Sequence, residues 1–300
     1  VLFRSYNLSN NSGNQDSSFI GGILTGFTNS GPIIVQNNMV ALGGNTSSKS
    51  GIYGIINIGG NDPDQMYAFA NTVVISGTGT GTAPSCAFTR SDITNVWVTA
   101  LYGSNTTLGT PILCKDNILI NTRTGAGNGY AIGNASAPGN TGGSLGWDVT
   151  SSNYNVLYST SANVGYWDVT AQTYSGWKTA SGGDANSINA NVNFVSGTDL
   201  HLASNAEIVH NAGIPIPPFT DPGGSGVPVN ETGVVKDFDN ADRSKFSPEI
   251  GADEDGVYPA VGAFNLTTPA NNASPVSVAP AIVWSASTNT SSYDLYLDRK

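Results

Sequence analysis

The densest acidic group in the sequence contains three aspartates whose spacing could hold a metal ion. Asp237, Asp239 and Asp242 stand at positions i, i+2 and i+5, and carboxylate oxygens are the ligands that Ca²⁺ prefers. The stretch lacks the glycine and the terminal glutamate that an EF-hand loop requires. The alternative, which we favour, is a structural turn in which Arg243 pairs with one of these aspartates.

Three tryptophans could bind carbohydrate, because indole rings stack on the apolar faces of sugars. These are Trp147, Trp167 and Trp177. The same rings could instead cover the flank of the fold, since each buries a large apolar area. We favour the second interpretation.

The two histidines and the two cysteines carry weaker signals. His201 lies between two leucines and should point outward from a strand. No partner motif accompanies His201 or His210, so a structural role is favoured.

Cys86 and Cys114 match no zinc-ligand spacing. We favour two small buried residues; a disulfide is the alternative and would suit an exported protein.

Composition narrows the class of protein that could carry these residues. The net charge is −10, with 11% charged and 39% hydrophobic residues. No basic stripe exists to meet phosphates, so we expect no nucleic-acid partner. No apolar run approaches the roughly 20 residues that span a bilayer, so we expect no membrane span. Short β-branched runs separated by Gly, Asn, Asp and Ser predict an all-β chain.

Asparagine-led apolar strands recur along the chain and should position these side chains. The lead asparagines are Asn38, Asn71, Asn117 and Asn155, at steps of 33, 46 and 38 residues. Irregular repetition of one strand type predicts stacked coils with loops of variable length. Each amide could bond the equivalent amide one coil away, forming a ladder, and each asparagine could adopt a left-handed backbone conformation at a corner. The glycine-rich stretch 123–146 is expected to leave the stack.

Residues 174–254 carry the most specific pattern. Phe194-Val195, then Asp199-Leu200-His201-Leu202, then Asn211-Ala212-Gly213 precede an Asp-rich turn and the ending Ile250-Gly251-Ala252-Asp253-Glu254. This order resembles the closing coils of right-handed parallel β-helix proteins of the pectate-lyase-like superfamily, many of them secreted bacterial surface proteins. Two departures are Asn240-Ala241 in place of a glycine turn and Ile208-Val209-His210 in place of a Pro-Ala-Ile segment. The resemblance implies a parallel β-helix over residues 6–262.

The chain after this ending looks like the start of a different domain. Runs at residues 266–273, 280–286 and 292–297 resemble the first strands of a fibronectin type III-like, immunoglobulin-like sandwich. The piece at 263–297 is far shorter than the roughly 100 residues of such a sandwich. We expect it to be incomplete and partly exposed.

Some relatives in the superfamily cleave acidic polysaccharides, which makes the basic and acidic residues worth testing as a lyase site. The possible bases are Arg90, Lys115 and Arg123, and the possible calcium ligands are Asp62, Asp64, Asp92 and Asp116. Nothing in the sequence fixes them on one face, and the aspartate pairs of the hydrolases are absent. Catalytic residues are therefore unknown, and solvated loop charges are the favoured interpretation.

Both ends of the chain resemble translated adapter sequence. Residues 1–5 (Val-Leu-Phe-Arg-Ser) and 298–300 (Asp-Arg-Lys) can be encoded by one sequencing adapter read in opposite directions. We therefore expect a translated environmental fragment whose protein-derived part begins near Tyr6 and ends near Leu297.

The sequence predicts a non-catalytic β-helix module of a secreted or cell-surface protein with several domains. Its expected partner is a polysaccharide or cell-surface glycan, and the module is expected to be monomeric, with no cofactor other than Ca²⁺. The alternatives are a polysaccharide lyase or glycoside hydrolase and a purely structural stalk.

Overall fold

A computed structural model gives the architecture of the chain. It describes residues 2–5, 19–25, 32–43, 51–57, 66–79, 82–90, 112–125, 127–135, 147, 149–220, 228–230, 232–255, 265–270, 272–277 and 279–286. The chain divides into a unit from Val1 to Asp255 and a smaller unit from Gly256 to Lys300. The predicted boundary after residue 262 lies outside the described residues.

Three parallel sheets form the body of the first unit. The first sheet holds β1 (Leu2–Ser5), β4 (Met39–Leu42), β7 (Thr72–Ile75), β10 (Ile118–Asn121) and β13 (Val156–Ser159). The second holds β2 (Phe19–Thr25), β5 (Gly51–Asn57), β8 (Ser85–Arg90), β11 (Gly129–Ala135) and β14 (Gly165–Asp168), with β15 (Thr170–Gln172) antiparallel at its edge. The third holds β3 (Ile33–Gln36), β6 (Met66–Phe69), β9 (Ile112–Lys115) and β12 (Ser152–Asn153). Each parallel strand thus pairs with the strand three elements later, and the all-β prediction is confirmed.

The remaining elements are short. Helix α1 spans Tyr174–Ser181, with Thr173 as its N-cap and Gly182 in the left-handed conformation at its end. Two antiparallel hairpins follow, β16 (Phe194–Ser196) with β17 (Asp199–Leu202) and β18 (Phe219–Thr220) with β19 (Pro228–Asn230). None of the described helices is long and apolar enough to cross a membrane.

Alternating side chains of the first sheet enter two different cores. Val40, Val73 and Leu119 are fully buried in the core shared by the three sheets. Their neighbours Met39 and Ile118 pack instead on the outer side of the sheet. A strand buried on both faces reads as a continuous apolar run, which explains the sequence of these strands.

The four lead asparagines form a hydrogen-bonded ladder. Asn38 Nδ2 donates to Asn71 Oδ1 (2.9 Å), Asn71 Nδ2 to Asn117 Oδ1 (2.9 Å), and Asn117 Nδ2 to Asn155 Oδ1 (3.0 Å). The backbone N–H of each of the first three donates to the same Oδ1 at 2.9 to 3.2 Å. The ladder therefore satisfies buried backbone groups at one corner of every level.

The left-handed backbone lies one residue earlier than predicted. The positive φ angles at this corner belong to Asn37, Ala70, Asp116 and Tyr154. The ladder asparagines are therefore not the left-handed residues. The preceding residue turns the chain, and the asparagine that follows points its amide along the row.

The described centre of the glycine-rich stretch, residues 129–135, lies in the second sheet, contrary to the prediction, and residues 136–146 lie outside the described residues. Strand β11 is buried along its whole length and pairs with β8 and β14. A Cβ on Gly133 would lie 2.7 Å from Thr89 Oγ1, and one on Gly129 would lie 2.9 Å from Asn121 Oδ1. These glycines allow close packing, which a composition-based reading mistakes for a loop.

The second unit is described in part. β20 (Leu266–Thr268) and β21 (Val283–Trp284) form an antiparallel pair. Leu266 and Val283 remain 47% and 49% exposed, so this pair does not close a core among the described residues. Residues 293–297 lie outside the described part, and the fibronectin-like assignment stays a prediction.

The predicted adapter residues can be placed only at one end. Residues 2–5 form β1, which pairs with β4, whereas 298–300 lie outside the described residues. Their foreign origin stays a prediction.

Candidate functional site

The candidate site lies in the closing segment, which we define as residues 192–255. Its apolar side chains pack on the outer face of the first sheet, and Val209, Leu200 and Ile250 are fully buried there. Its backbone also joins the sheet directly, since Gly251 N donates to Asp116 O (2.8 Å). Gly251 has a φ of 108°, and a Cβ on it would lie 2.6 Å from Ile118 Cδ1. Only glycine fits this approach.

A backbone hydrogen bond places two chemically active side chains side by side. Ile250 N donates to Val209 O (3.2 Å), and both apolar side chains enter the core beside the first sheet. Their chain neighbours Glu249 and His210 are brought together as a result. With Asp255, these residues form the His210 cluster, whose ligand atoms lie within 4.8 Å of one another.

The His210 cluster is buried. His210 Nε2 lies 2.8 Å from Asp255 Oδ2, and both side chains are 10% exposed. Glu249 Oε2 accepts from Asp255 N (2.7 Å). Burial, together with a side-chain hydrogen bond to Asp255, raises the pKa of Glu249 to about 9. The carboxyl group is therefore protonated at neutral pH unless a cation replaces the proton.

Arg243 holds the loop that carries Glu249. Its guanidinium donates to Gly251 O (2.9 Å) and to Glu249 O, and it lies 3.6 Å from Glu254 Oε2. The predicted pairing of Arg243 with an aspartate is therefore wrong. Its partner is a glutamate eleven positions later, supported by two backbone carbonyls.

A second cluster lies closer to the surface. His201 contacts Asp199 through Nδ1 and Asp239 Oδ2 through Nε2 (2.9 Å), and Asp253 Oδ2 accepts from Leu202 N (2.7 Å). We call these residues the His201 cluster. Burial lowers the pKa of His201, but the hydrogen bond that its ring donates to Asp199 and the surrounding carboxylates outweigh burial, so the pKa is raised overall. The outward position of His201 agrees with the prediction, since it is half-buried between two buried leucines.

The structure does not bring the three predicted calcium ligands together. Asp237 Oδ1 accepts from Asp239 N (3.0 Å) and Ala241 N (2.7 Å), which makes it the carboxylate of a turn. Asp239 faces His201, and Asp242 pairs with Lys236 (2.7 Å) at an exposed position. The turn interpretation agrees with this geometry, and the three carboxylates have different partners.

The three tryptophans pack on one another, with Trp147 and Trp177 buried and Trp167 partly buried. Trp147, Trp167 and Trp177 contact each other edge to face, with ring centroids 5.5 to 5.7 Å apart. Trp147 and Trp177 are 5% and 0% exposed within the core of the three sheets. Rings buried in this way offer no face to a sugar, so we no longer assign them to carbohydrate.

Trp177 also forms a hydrogen bond with the residue at the end of the asparagine ladder. Its Nε1 donates to Asp184 Oδ2 (2.7 Å), and Asp184 Oδ1 accepts from Ser152, Ser187 and Asn155. Asp184 is fully buried and accepts the amide of Asn155 in place of a further asparagine, whereas the backbone N–H of Asn155 donates to Ser187 Oγ (2.9 Å). Sequence reasoning missed this end, because the acceptor changes from an amide to a carboxylate.

The predicted lyase residues are dispersed. Arg90 is fully buried, its Nε donates to Asn134 Oδ1 (2.7 Å), and burial lowers its pKa to about 9. Asp116 is buried in the corner of the first sheet, where both of its oxygens accept from Ile214 N (3.1 Å). Arg123 is 8% exposed at the end of the first sheet. Asp62, Asp64 and Asp92 lie outside the described residues, and Lys115 is half-buried at the end of β9.

Cys86 and Cys114 are free, buried thiols. Burial raises the pKa of both. This agrees with the favoured interpretation of two small buried residues, and the disulfide alternative is wrong for this structure.

Comparison with known proteins finds no similar protein. The chain matches no family model, no curated protein and no solved structure. The geometry of the sheets and of the closing segment therefore carries the functional argument by itself.

Sequence reasoning missed both histidine clusters. The partners of His201 come from positions 199, 239 and 253, and those of His210 come from positions 249 and 255. A local motif search cannot find such pairs, because the closing segment must first fold onto the sheet. The one available signal was the concentration of acidic residues near the end of the unit.

Proposed function

We propose that residues 6–255 form a right-handed parallel β-helix that acts as a non-catalytic structural module of a secreted or cell-surface protein. In the three parallel sheets, successive parallel strands are three elements apart in the chain, which supports this architecture because a coil of three strands repeats in that way. The asparagine ladder supports it further, because a ladder requires equivalent corners in successive coils.

The observation that carries the structural role is the covering of the sheets by the chain itself. The closing segment packs Val209 and Ile250 on the outer face of the first sheet. Phe219 stacks on Tyr67 of the third sheet, with ring centroids 4.4 Å apart, and Val234 joins this cluster. An outer face occupied by its own chain is not offered to a long polysaccharide.

This observation favours a stalk or scaffold over the glycan-binding module that the sequence predicts. The acidic composition and the second unit after Asp255 are compatible with an exported protein that has several domains. Glycan binding and cleavage of acidic polysaccharide are the functions that an experiment must exclude.

The test is a glycan array combined with an assay for cleavage of uronic-acid polymers, both on the full 300-residue chain. A sugar-binding protein and a polysaccharide lyase serve as positive controls, and Ca²⁺ is present in one series. We expect neither binding nor cleavage. Saturable binding to one glycan class, or release of unsaturated oligosaccharides, would overturn the structural role.

A further inference from the structure

The His210 cluster contains buried polar atoms that the protein leaves without a hydrogen-bond partner. Glu249 Oε1 is buried and makes no hydrogen bond, and His210 Nε2, which also lacks hydrogen-bond geometry, lies 2.8 Å from Asp255 Oδ2. Glu249 is only 1% exposed. Both atoms belong to the group of three residues whose ligand atoms lie within 4.8 Å of one another.

Buried polar atoms without partners destabilise the folded state. Burying a polar atom without a hydrogen bond costs roughly 1 to 3 kcal/mol, and buried polar atoms in native proteins almost always have partners. Two buried atoms that lack hydrogen bonds, in a group whose ligand atoms all lie within 4.8 Å of one another, could therefore be satisfied by one common partner. A cation satisfies an imidazole nitrogen and carboxylate oxygens at once, which a water molecule does less completely.

We propose that His210 Nε2, Glu249 Oε1 and an oxygen of Asp255 bind one divalent metal ion of the zinc class. One nitrogen and two carboxylate oxygens are a donor set that zinc accepts. Ca²⁺ takes oxygen ligands, so an imidazole in the set disfavours it. The site differs from the calcium site that the aspartates predicted, because Asp237, Asp239 and Asp242 take no part in it.

The distances allow the ion with a small adjustment. Ligand atoms about 2.1 Å from a tetrahedral ion lie about 3.4 Å from one another. His210 Nε2 and Asp255 Oδ2 are 2.8 Å apart, and all three ligand atoms lie within 4.8 Å. The imidazole and the Asp255 carboxylate must separate by about 0.6 Å, and Glu249 must approach, which side-chain rotations can supply.

The ion would join two parts of the closing segment. His210 belongs to the run of turns between Ala203 and Ala212, whereas Glu249 and Asp255 lie at the end of the unit. Backbone hydrogen bonds from Ile250 N to Val209 O (3.2 Å) and from Gly213 N to Pro248 O (2.9 Å) already link these parts of the segment. The ion would fix the covering of the first sheet, so its role is structural, and this inference stands whether or not the module binds glycans.

The His201 cluster supplies a matched control. Three of its residues, His201, Asp239 and Asp253, meet the same distance limit. His201 and Asp239 are 33% and 57% exposed, and both ring nitrogens of His201 already face carboxylates. Because these side chains are exposed to solvent whereas those of His210 and Asp255 are buried, we expect the ion at the His210 cluster, and His201→Gln should leave metal binding intact.

The experiment measures Zn²⁺ binding to the EDTA-stripped full chain by calorimetry at pH 7.5, with thermal unfolding measured in parallel. We expect one ion per chain and a Tm raised by roughly 5 to 10 °C at a concentration 100-fold above Kd. His210→Gln and Glu249→Gln should each weaken binding at least tenfold, and His201→Gln should not. Ca²⁺ at the same concentration should leave Tm unchanged.

Two results would overturn the proposal. One is the absence of stoichiometric Zn²⁺ binding to a chain whose circular dichroism shows a folded β protein. The other is binding that survives His210→Gln and is lost in His201→Gln, which would move the ion to the His201 cluster. Should His210→Gln unfold, Glu249→Gln decides, because glutamine keeps the shape of the side chain; undiminished Zn²⁺ affinity in that variant would also contradict the proposal.

Discussion

At the residue scale, the central device is an amide that serves several buried groups at once. Asn117 Oδ1 accepts from the side chain and backbone of Asn71, and its Nδ2 donates to Asn155, Ala68 O (2.9 Å) and Lys115 O (3.0 Å). All of these hydrogen bonds are buried except the one to Lys115 O, which is partly buried. One side chain therefore controls the hydrogen bonding of three successive levels.

Asn117→Ala should destabilise the first unit by about 2 to 4 kcal/mol, because it leaves several buried donors and acceptors unpaired. Asn38→Ala, at the beginning of the described row, should cost about half as much, since it removes one amide-to-amide bond. Equilibrium unfolding in urea measures both. Equal losses, or a loss below about 1 kcal/mol for Asn117→Ala, would contradict the ladder as a cooperative row.

A buried carboxyl group at the same corner gives the chain a pH dependence. Burial raises the pKa of Asp116 from 3.8 to about 7, although the hydrogen bonds from Ile214 N and the charge of Arg243 oppose the rise. The folded state therefore binds more protons than the unfolded state between these two pH values. Stability is fully present below pH 3.8 and is lost as the pH rises through about 7.

Asp116→Asn should remove this part of the pH dependence, and asparagine tolerates the left-handed conformation of the position (φ 57°). We expect the free energy of unfolding of the parent chain to fall between pH 5 and pH 8 in EDTA. The variant should show a smaller fall over the same interval. Parallel pH profiles of the two chains would show that Asp116 titrates normally.

At the element scale, glycine decides how closely the strands approach. Gly54 in the middle of β5 is buried, and a Cβ there would lie 2.2 Å from Val73 Cγ1 and 2.5 Å from Ala87 O. The second contact is with backbone, which cannot rotate away. The strand is thus held in place by the absence of a side chain at one position.

Gly54→Ala should lower the free energy of unfolding by roughly 2 to 3 kcal/mol, or Tm by roughly 4 to 12 °C, because the added methyl group overpacks the core. Gly197→Ala is the matched control, since nothing lies within 4 Å of a Cβ at that position. Differential scanning calorimetry compares the two. A Gly54→Ala variant as stable as Gly197→Ala would contradict the packing at β5.

The sequence predicted the elements with the most regular signal. The ladder asparagines and their strands could be found because the amide and the apolar run are adjacent in the chain. Strand β11 was missed, because its glycines resemble a loop until Thr89 and Asn121 are placed beside them. The left-handed residue was misplaced by one, since Ala70 and Tyr154 at that position carry no signal for it.

At the scale of the whole molecule, the closing segment determines what the sheets can contact. Its residues are far in sequence from the strands they cover, as in the pairs Ala252 N with Thr72 Oγ1 (2.9 Å) and Gly251 N with Asp116 O (2.8 Å). Such long-range covering has no local pattern. For the same reason, the sequence predicted a glycan-binding module and did not predict the His210 cluster.

The central claim is that successive coils stack in register, and one distance tests it most directly. Leu24, Ile56, Thr89, Gly133 and Tyr166 are aligned across the second sheet from β2 to β14. Four strand spacings of about 4.8 Å place the two end positions about 19 Å apart. Nitroxide labels at 24 and 166, on a chain whose two cysteines are replaced by serine, report this distance by pulsed electron resonance. A narrow distribution near that value is the predicted result, and a broad distribution centred far beyond it would contradict the stacked architecture.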